Sequence, residues 1–201
     1  RHGWSGLPPI ERLANGVFYP MTLASNRHVA VAVIPETSGV AFYSDLCHPS
    51  GRDADDIRLR LRRILSLDFP LDEFRQLCRT RRDTKLHALA SRGWGRILRS
   101  ATPWEDAVKT LLTTNASWGY TVKMCKSVVE SAGPATPCGL RCFPSPRQLL
   151  ERLGLEGIRR LPLGYRAEYL SGLALAAKGQ ARWLSLPGAA LAESEAKACI
   201  S

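Results

Sequence analysis

"LLTTNASWGY", residues 111–120, interrupts what would otherwise read as one long helical run built for a core. Upstream, Thr102-Pro103-Trp104-Glu105 has the makings of a helix start. Thr102 can cap, Pro103 suits the first turn, and Glu105 stands where a capping box needs it. Trp104, Ala107, Val108, Leu111 and Leu112 then share one face. Downstream, Val122, Cys125, Val128 and Val129 repeat the pattern until Gly133-Pro134 stops it. Between the two faces lie Thr113, Thr114, Asn115, Ala116 and Ser117, all short and mostly polar, followed by the bulky Trp118. The stretch therefore predicts a helical hairpin with a small polar tip that carries one amide side chain. Asn115 reads in two ways: as the cap of the second helix, a place asparagine suits, or as an exposed group held out for a purpose.

Working outward, the remaining chain divides into a strand-rich first part and a helical second part. Residues 16–24, 28–35 and 39–46 are β-branched and aromatic, and Val29, Val31 and Val33 alternate with Ala30 and Ala32 at the period of a half-buried strand. "SNR" and "ETSG" between them are turn chemistry, so the three predict an antiparallel meander. From Asp53 the period changes: Ile57, Leu61, Ile64 and Leu65 recur at helical spacing behind an acidic start. "LDEFRQLC" and "TKLHALAS" predict further helices, with a turn at "RGWGR", 92–96. Ser145-Pro146-Arg147-Gln148 repeats the capping-box pattern ahead of Leu149, Leu150 and Leu153, and a short helix follows over 155–161. "LGYRAEYLSGLALAAKGQ", 163–180, predicts a longer helix with Ala167, Leu170, Leu173 and Ala174 inward. The Ala-rich tail to Ser201 ends in mid-helix. The expected architecture is α+β: an antiparallel β-sheet domain with a helix over 1–70, and an α-helical domain over 71–201 that is incomplete at its C-terminal end.

At 201 residues and 45% hydrophobic composition, the chain can bury a sizeable core. No apolar run reaches the length of a membrane span, and the N-terminus lacks the layout of a signal peptide. The six cysteines are scattered and only Cys138 and Cys142 are close, which speaks for thiols in a reducing cytosol rather than a metal site. The four histidines do not cluster at ligand spacing, and neither a phosphate-binding loop nor a nucleophile elbow is present. No cofactor is expected. The net charge of +10 favours an anionic partner. Arg75, Arg79, Arg81, Arg82, Lys85, Arg92, Arg96 and Arg99 stand against Asp83 alone, and this run reads either as a solvated face or as a source of phosphate contacts.

Two stretches taken together carry a resemblance. "TPWEDAVKTLLTTNASWGYTVKMCKSVV", followed some forty residues later by "LPLGYRAEYLSGLA", resembles the helix-hairpin-helix superfamily of base-excision DNA glycosylases, above all the branch of 8-oxoguanine DNA glycosylase and bacterial 3-methyladenine DNA glycosylase II. The meander suits that family's sheet domain, and "FPSPRQLLERL" suits the helix before the GYRA segment. A glycosylase must take its target base out of the stack, which leaves a hole in the duplex. The resemblance implies that Asn115, beside Thr114, fills that hole, that Tyr165 wedges against the flanking bases, and that Arg166 donates to the base left behind, with Gly164 supplying the tight entry to the helix.

Family members continue with a glycine-rich hairpin that holds a phosphate and with a catalytic aspartate about twenty residues later; some add a lysine nucleophile. Here Leu186-Pro187-Gly188 is followed by Ala189-Ala190-Leu191, and 189–201 contain no aspartate, while Lys197 reads as a surface residue. We expect 184–192 to be the linker before the hairpin, no catalytic residue within these 201, and no base release by the chain alone. The resemblance thus implies a monomeric DNA repair enzyme of the cytoplasm or nucleoid, acting on double-stranded DNA that contains a damaged purine, with strand-cleaving lyase activity if the lysine is present. Two other readings stay open: a non-catalytic DNA-binding or damage-sensing protein of the same fold, and a helical adaptor whose basic face binds RNA or acidic protein.

Overall fold

The computed structural model of the chain describes residues 3–179 apart from 38, 82, 83 and 93. The linker and tail readings of 184–201, including Lys197, lie outside the described residues. Four antiparallel strands form one sheet in the order β1 (Glu11–Leu13), β2 (Gly16–Thr22), β3 (His28–Glu36), β4 (Gly39–Ser44). The three expected strands are present. β1 is an addition: Glu11-Arg12-Leu13 is too short to show a period, and it forms by pairing Arg12 with Val17. Seven helices follow: α1 (Gly51–Ile64), α2 (Asp72–Thr80), α3 (Thr84–Ser91), α4 (Pro103–Thr113), α5 (Trp118–Ala132), α6 (Pro146–Arg159) and α7 (Arg166–Gly179). The architecture is α+β. No helix among the described residues is long and apolar enough to cross a membrane.

Two apolar clusters hold the molecule together. In the first, Tyr19 and Met21 on β2 pair with Val31 and Val29 on β3, and Ile57, Leu61 and Ile64 of α1 cover them. The expected half-burial of β3 is exceeded, since Ala30 and Ala32 are also buried. The 133–145 loop reaches back to this part of the sheet: the Cys138 amide donates to Asp45, whose other carboxylate oxygen accepts from Ala30 N. In the second cluster, Val108 and Leu112 of α4 pack with Met124, Cys125 and Val128 of α5, Leu149 and Ile158 of α6, and Leu170 and Ala174 of α7. Leu7 from the N-terminus belongs to this helical cluster, not to the sheet. Asp106 joins the two halves. It accepts from Trp4 Nε1 at 2.9 Å, from Ser100 N at 2.7 Å and from Arg63 of α1 at 2.6 Å.

The helix ends follow their side chains. Ser145 and Gln148 form the complete capping box at α6. Gly154, at φ 60°, breaks α6 where two helices were expected. At α4, Thr102 caps by accepting from Glu105 N, but Glu105 does not close the box. Its carboxylate turns inward to accept from Lys109 Nζ at 2.6 Å, in a pair whose side chains are 3% and 0% exposed. The buried face of α4 therefore runs through Glu105 and Lys109, while Ala107 and Leu111 are only half-buried.

At α1 the cap is also a tie to the sheet. Asp53 completes a box with Ser50 and accepts from Ser25 at 2.7 Å and Arg27 at 2.9 Å across the β2–β3 turn. The hydrogen bonds from Ser25 and Ser50 bring its carboxyl down from 3.8 to about 2. A depressed carboxyl adds stability that is present above the unfolded value and lost as pH falls through the folded one. Asp53→Asn is therefore expected to lower the melting temperature at pH 7, with the difference from wild type closing between about pH 4 and pH 2. Equal melting of the two proteins at pH 7 would contradict this.

Candidate functional site

The tip foreseen at 113–117 is where α4 ends and α5 begins. Thr114 is the last half-helical residue; its amide and its hydroxyl both donate to Leu111 O, at 3.2 and 2.7 Å. Asn115 follows with φ 45°, the left-handed conformation that ends many helices and that asparagine tolerates better than other residues with a side chain. Ser117, not Asn115, caps α5, accepting from Tyr120 N at 3.3 Å. Of the two readings of Asn115, the cap is thus taken by another residue, and the Asn115 side chain is left exposed on the tip.

Fifty residues later the turn into α7 comes up beside it. Gly164 has φ 60°, and a Cβ there would meet nothing closer than Arg166 Nη1 at 3.9 Å, so the backbone conformation, not crowding, asks for glycine. Leu163 is fully buried and plugs the turn into the helical core, while Tyr165 is 51% exposed. Asn115 Nδ2 donates to Tyr165 Oη at 3.3 Å. The Thr114 hydroxyl and then the Asn115 amide beside the phenol oxygen, aided by the Arg166 charge, hold the Tyr165 phenol below its usual value. The expected site residues Thr114, Asn115, Gly164, Tyr165 and Arg166 are therefore brought together from two loops.

Arg166 differs from the expectation attached to it. It is 4% exposed and points into the molecule. Nε donates to Thr114 O at 3.0 Å, Nη2 to Thr114 O and to Asn115 O at 3.1 Å, and Nη1 to Leu163 O at 3.3 Å. The guanidinium also lies 4.5 Å from the Tyr165 ring centroid. The start of a helix repels a cation, yet here the free carbonyls at the end of α4 attract it more strongly. Arg166 ties the two loops together and leaves little of its donor capacity for anything outside.

Two aromatic residues went unnoticed in the sequence. Tyr169, one turn along α7 and 63% exposed, meets Tyr165 edge to face at 6.0 Å. Its i+4 spacing from Tyr165 was the available signal. Tyr120, on the first turn of α5, is 39% exposed and donates to Pro162 O at 2.9 Å, a second link between the loops. The tip thus presents an amide and three phenols, groups that hydrogen-bond and stack. Glu168, the acid closest in sequence to Tyr165, is bound to Arg159 at 2.7 Å. A cleft of about 790 Å³ lies elsewhere, bordered by Arg60, Arg63, Trp104, Phe143 and Lys178, and none of the tip residues lines it.

No family model and no curated protein matches the chain. Its fold is similar to that of solved DNA glycosylases. A 3-methyladenine DNA glycosylase from Archaeoglobus fulgidus superposes with a TM-score of 0.68 at 22% identity, over 83% of this chain and 57% of that one. An 8-oxoguanine glycosylase/lyase from Clostridium acetobutylicum, in complex with double-stranded DNA containing cytosine opposite 8-oxoguanine, superposes at 0.54 and 17% identity, over 87% of this chain and 66% of that one. Its apo form gives 0.56, again at 17% identity, over 87% and 67%. The chain shares the fold of these enzymes and spans 57% of the first.

Proposed function

We propose that this chain is the duplex-shaping part of a base-excision DNA glycosylase, and that the whole protein flips a damaged purine from double-stranded DNA and cleaves its N-glycosidic bond. The observation that carries the reading is the tip itself: Asn115, freed from capping by Ser117, beside the exposed ring of Tyr165, with Arg166 bracing both from beneath. Extruding a base removes two stacking faces and leaves its partner's hydrogen-bonding edge unmet. A phenol ring replaces stacking, and an amide offers both a donor and an acceptor to that edge. Tyr169 extends the aromatic surface along α7. The fold shared with the Archaeoglobus and Clostridium enzymes supports this reading. Arg166 acts in it as a positioning residue.

The chemistry of base release is assigned to the hairpin and aspartate that the resemblance places after the linker. The 201-residue chain is accordingly expected to bind and distort duplexes without releasing 8-oxoguanine, uracil or methylated purines. The experiment uses a duplex with 2-aminopurine next to an abasic analogue. Binding of the chain is expected to change the 2-aminopurine emission as Tyr165 enters the stack, and Tyr165→Ser to abolish that change while binding persists. Emission that responds equally to both proteins would overturn the wedge, and base release by the chain would overturn the placement of the chemistry.

A further inference from the structure

The basic run at 75–99 separates into two groups. Arg96 donates to Phe69 O at 3.0 Å and also to Ser66 O, and Arg99 donates to Arg63 O at 3.1 Å and pairs with Asp68. These two hold the 63–69 backbone in place and are spent on the fold. Arg75 and Arg79 are not. They stand one turn apart on α2 and line a cleft of about 320 Å³ against His87, Ala90 and Ser91 of α3. Arg75 reaches Asp72 only at 3.5 Å, outside the cleft, and Arg79 has no ion pair among the described residues. No carboxylate among the described residues lines the cleft. Ser91 gives its hydroxyl proton to His87 O at 2.8 Å, which leaves the two guanidiniums and the imidazole as the donors.

We infer that this cleft between α2 and α3 is a phosphate site, and that its occupant is the backbone of duplex DNA. Like charges at i, i+4 on a helix destabilise it. Two guanidiniums and an imidazole that line one cleft, with no carboxylate beside them among the described residues, are relieved when a phosphate enters, because each guanidinium presents paired N–H donors to its oxygens. The cleft offers charge and hydrogen-bond donors, and no Phe, Tyr or Trp among the described residues lines it, so it suits a strand's phosphate better than its bases. The net charge of +10 brings the whole chain toward a polyanion, and among the described residues these two cations meet no carboxylate inside the cleft. The site is separate from the tip and goes beyond the reading given to it.

The test is binding of the full chain to an undamaged duplex of about 20 base pairs across a salt series, which involves no lesion. Every phosphate that the protein ceases to neutralise lowers the slope of log K against log salt by about 0.9. The Arg75→Ala/Arg79→Ala double variant is expected to lower the size of the slope by about 0.9, the share of the one phosphate the cleft holds, and Arg12→Ala/Arg52→Ala, which removes two exposed charges elsewhere, by distinctly less. An unchanged slope, an equal fall in both variants, or a fall seen with RNA or a phosphopeptide but not with duplex DNA overturns the assignment. Because the duplex is intact, the result does not depend on whether Asn115 and Tyr165 act as proposed.

Discussion

Lys109→Met is expected to cost about 3–5 kcal/mol of stability, the penalty for leaving a buried charge without its partner. Lys109 is fully buried, 2.6 Å from Glu105 and 5.9 Å from the centre of the Phe143 ring. For a chain of this size the loss corresponds to a fall in melting temperature on the order of 10 °C. Burial raises the Glu105 carboxyl above its ordinary value, and Lys109 opposes that rise. Without the lysine the carboxyl rises further and takes up a proton in the folded state. A folded-state value above the unfolded one means that stability is gained as pH falls through the folded value and lost as it climbs. The variant's deficit should therefore be smaller at about pH 5 than at about pH 8. Glu105→Leu/Lys109→Met should recover most of the loss, because an apolar pair of similar volume needs no compensation. A single variant that melts like wild type, or a double variant worse than the single, would contradict the account. Calorimetry on the three proteins at two pH values decides it.

Arg166→Ala is expected to weaken binding to a duplex containing an abasic analogue by roughly tenfold or more, and to do so equally whichever base stands opposite. The guanidinium donates to three carbonyls, those of Leu163, Thr114 and Asn115, and hydrogen bonds to a charged group are worth about 1.5–3 kcal/mol each. Their loss frees the end of α4 from the start of α7, so the amide and the ring are no longer held in one geometry. Arg166→Lys should not rescue, since a single ammonium cannot span acceptors on both loops as the planar fork does. If Arg166 instead read the opposite base, Ala substitution would spare the melting temperature and weaken binding opposite one base alone. Affinities for the four opposite bases, measured with thermal melts, separate positioning from readout.

What could be read in the sequence was whatever depends on neighbours within a few residues. Thr102, Ser145 and Gly133 mark ends of α4, α6 and α5 because caps and stops are local chemistry. The meander was legible because β2, β3 and β4 each carry their own β-branched or aromatic run. The tip at 113–117 was legible because it is short and polar where both flanks are apolar, whereas Gly164, Tyr165 and Arg166 were singled out only through the family resemblance. What escaped was decided at a distance or by pairing. Glu105 and Lys109 had the spacing of an ordinary surface pair, and only the surrounding Trp104, Cys125 and Phe143 make it a core pair. The direction of Arg166 depends on carbonyls about fifty residues away. Asn115 was the cap the sequence suggested, and the left-handed backbone there leaves Ser117, two residues on, to serve instead.

That left-handed backbone also supplies the most direct measurement. Asn115→Gly removes the amide while suiting φ 45°, so the loop keeps its shape and the helix its end. Fluorescence anisotropy would compare the chain's affinity for a duplex with an abasic analogue against the same duplex intact. The wild-type chain is expected to prefer the duplex with the hole, and Asn115→Gly to lower that preference by roughly tenfold, the worth of one or two hydrogen bonds to the unpaired base. A glycine variant that melts like wild type and keeps the full preference would show that Asn115 only ends a helix, and would contradict the claim that this tip is built to enter DNA.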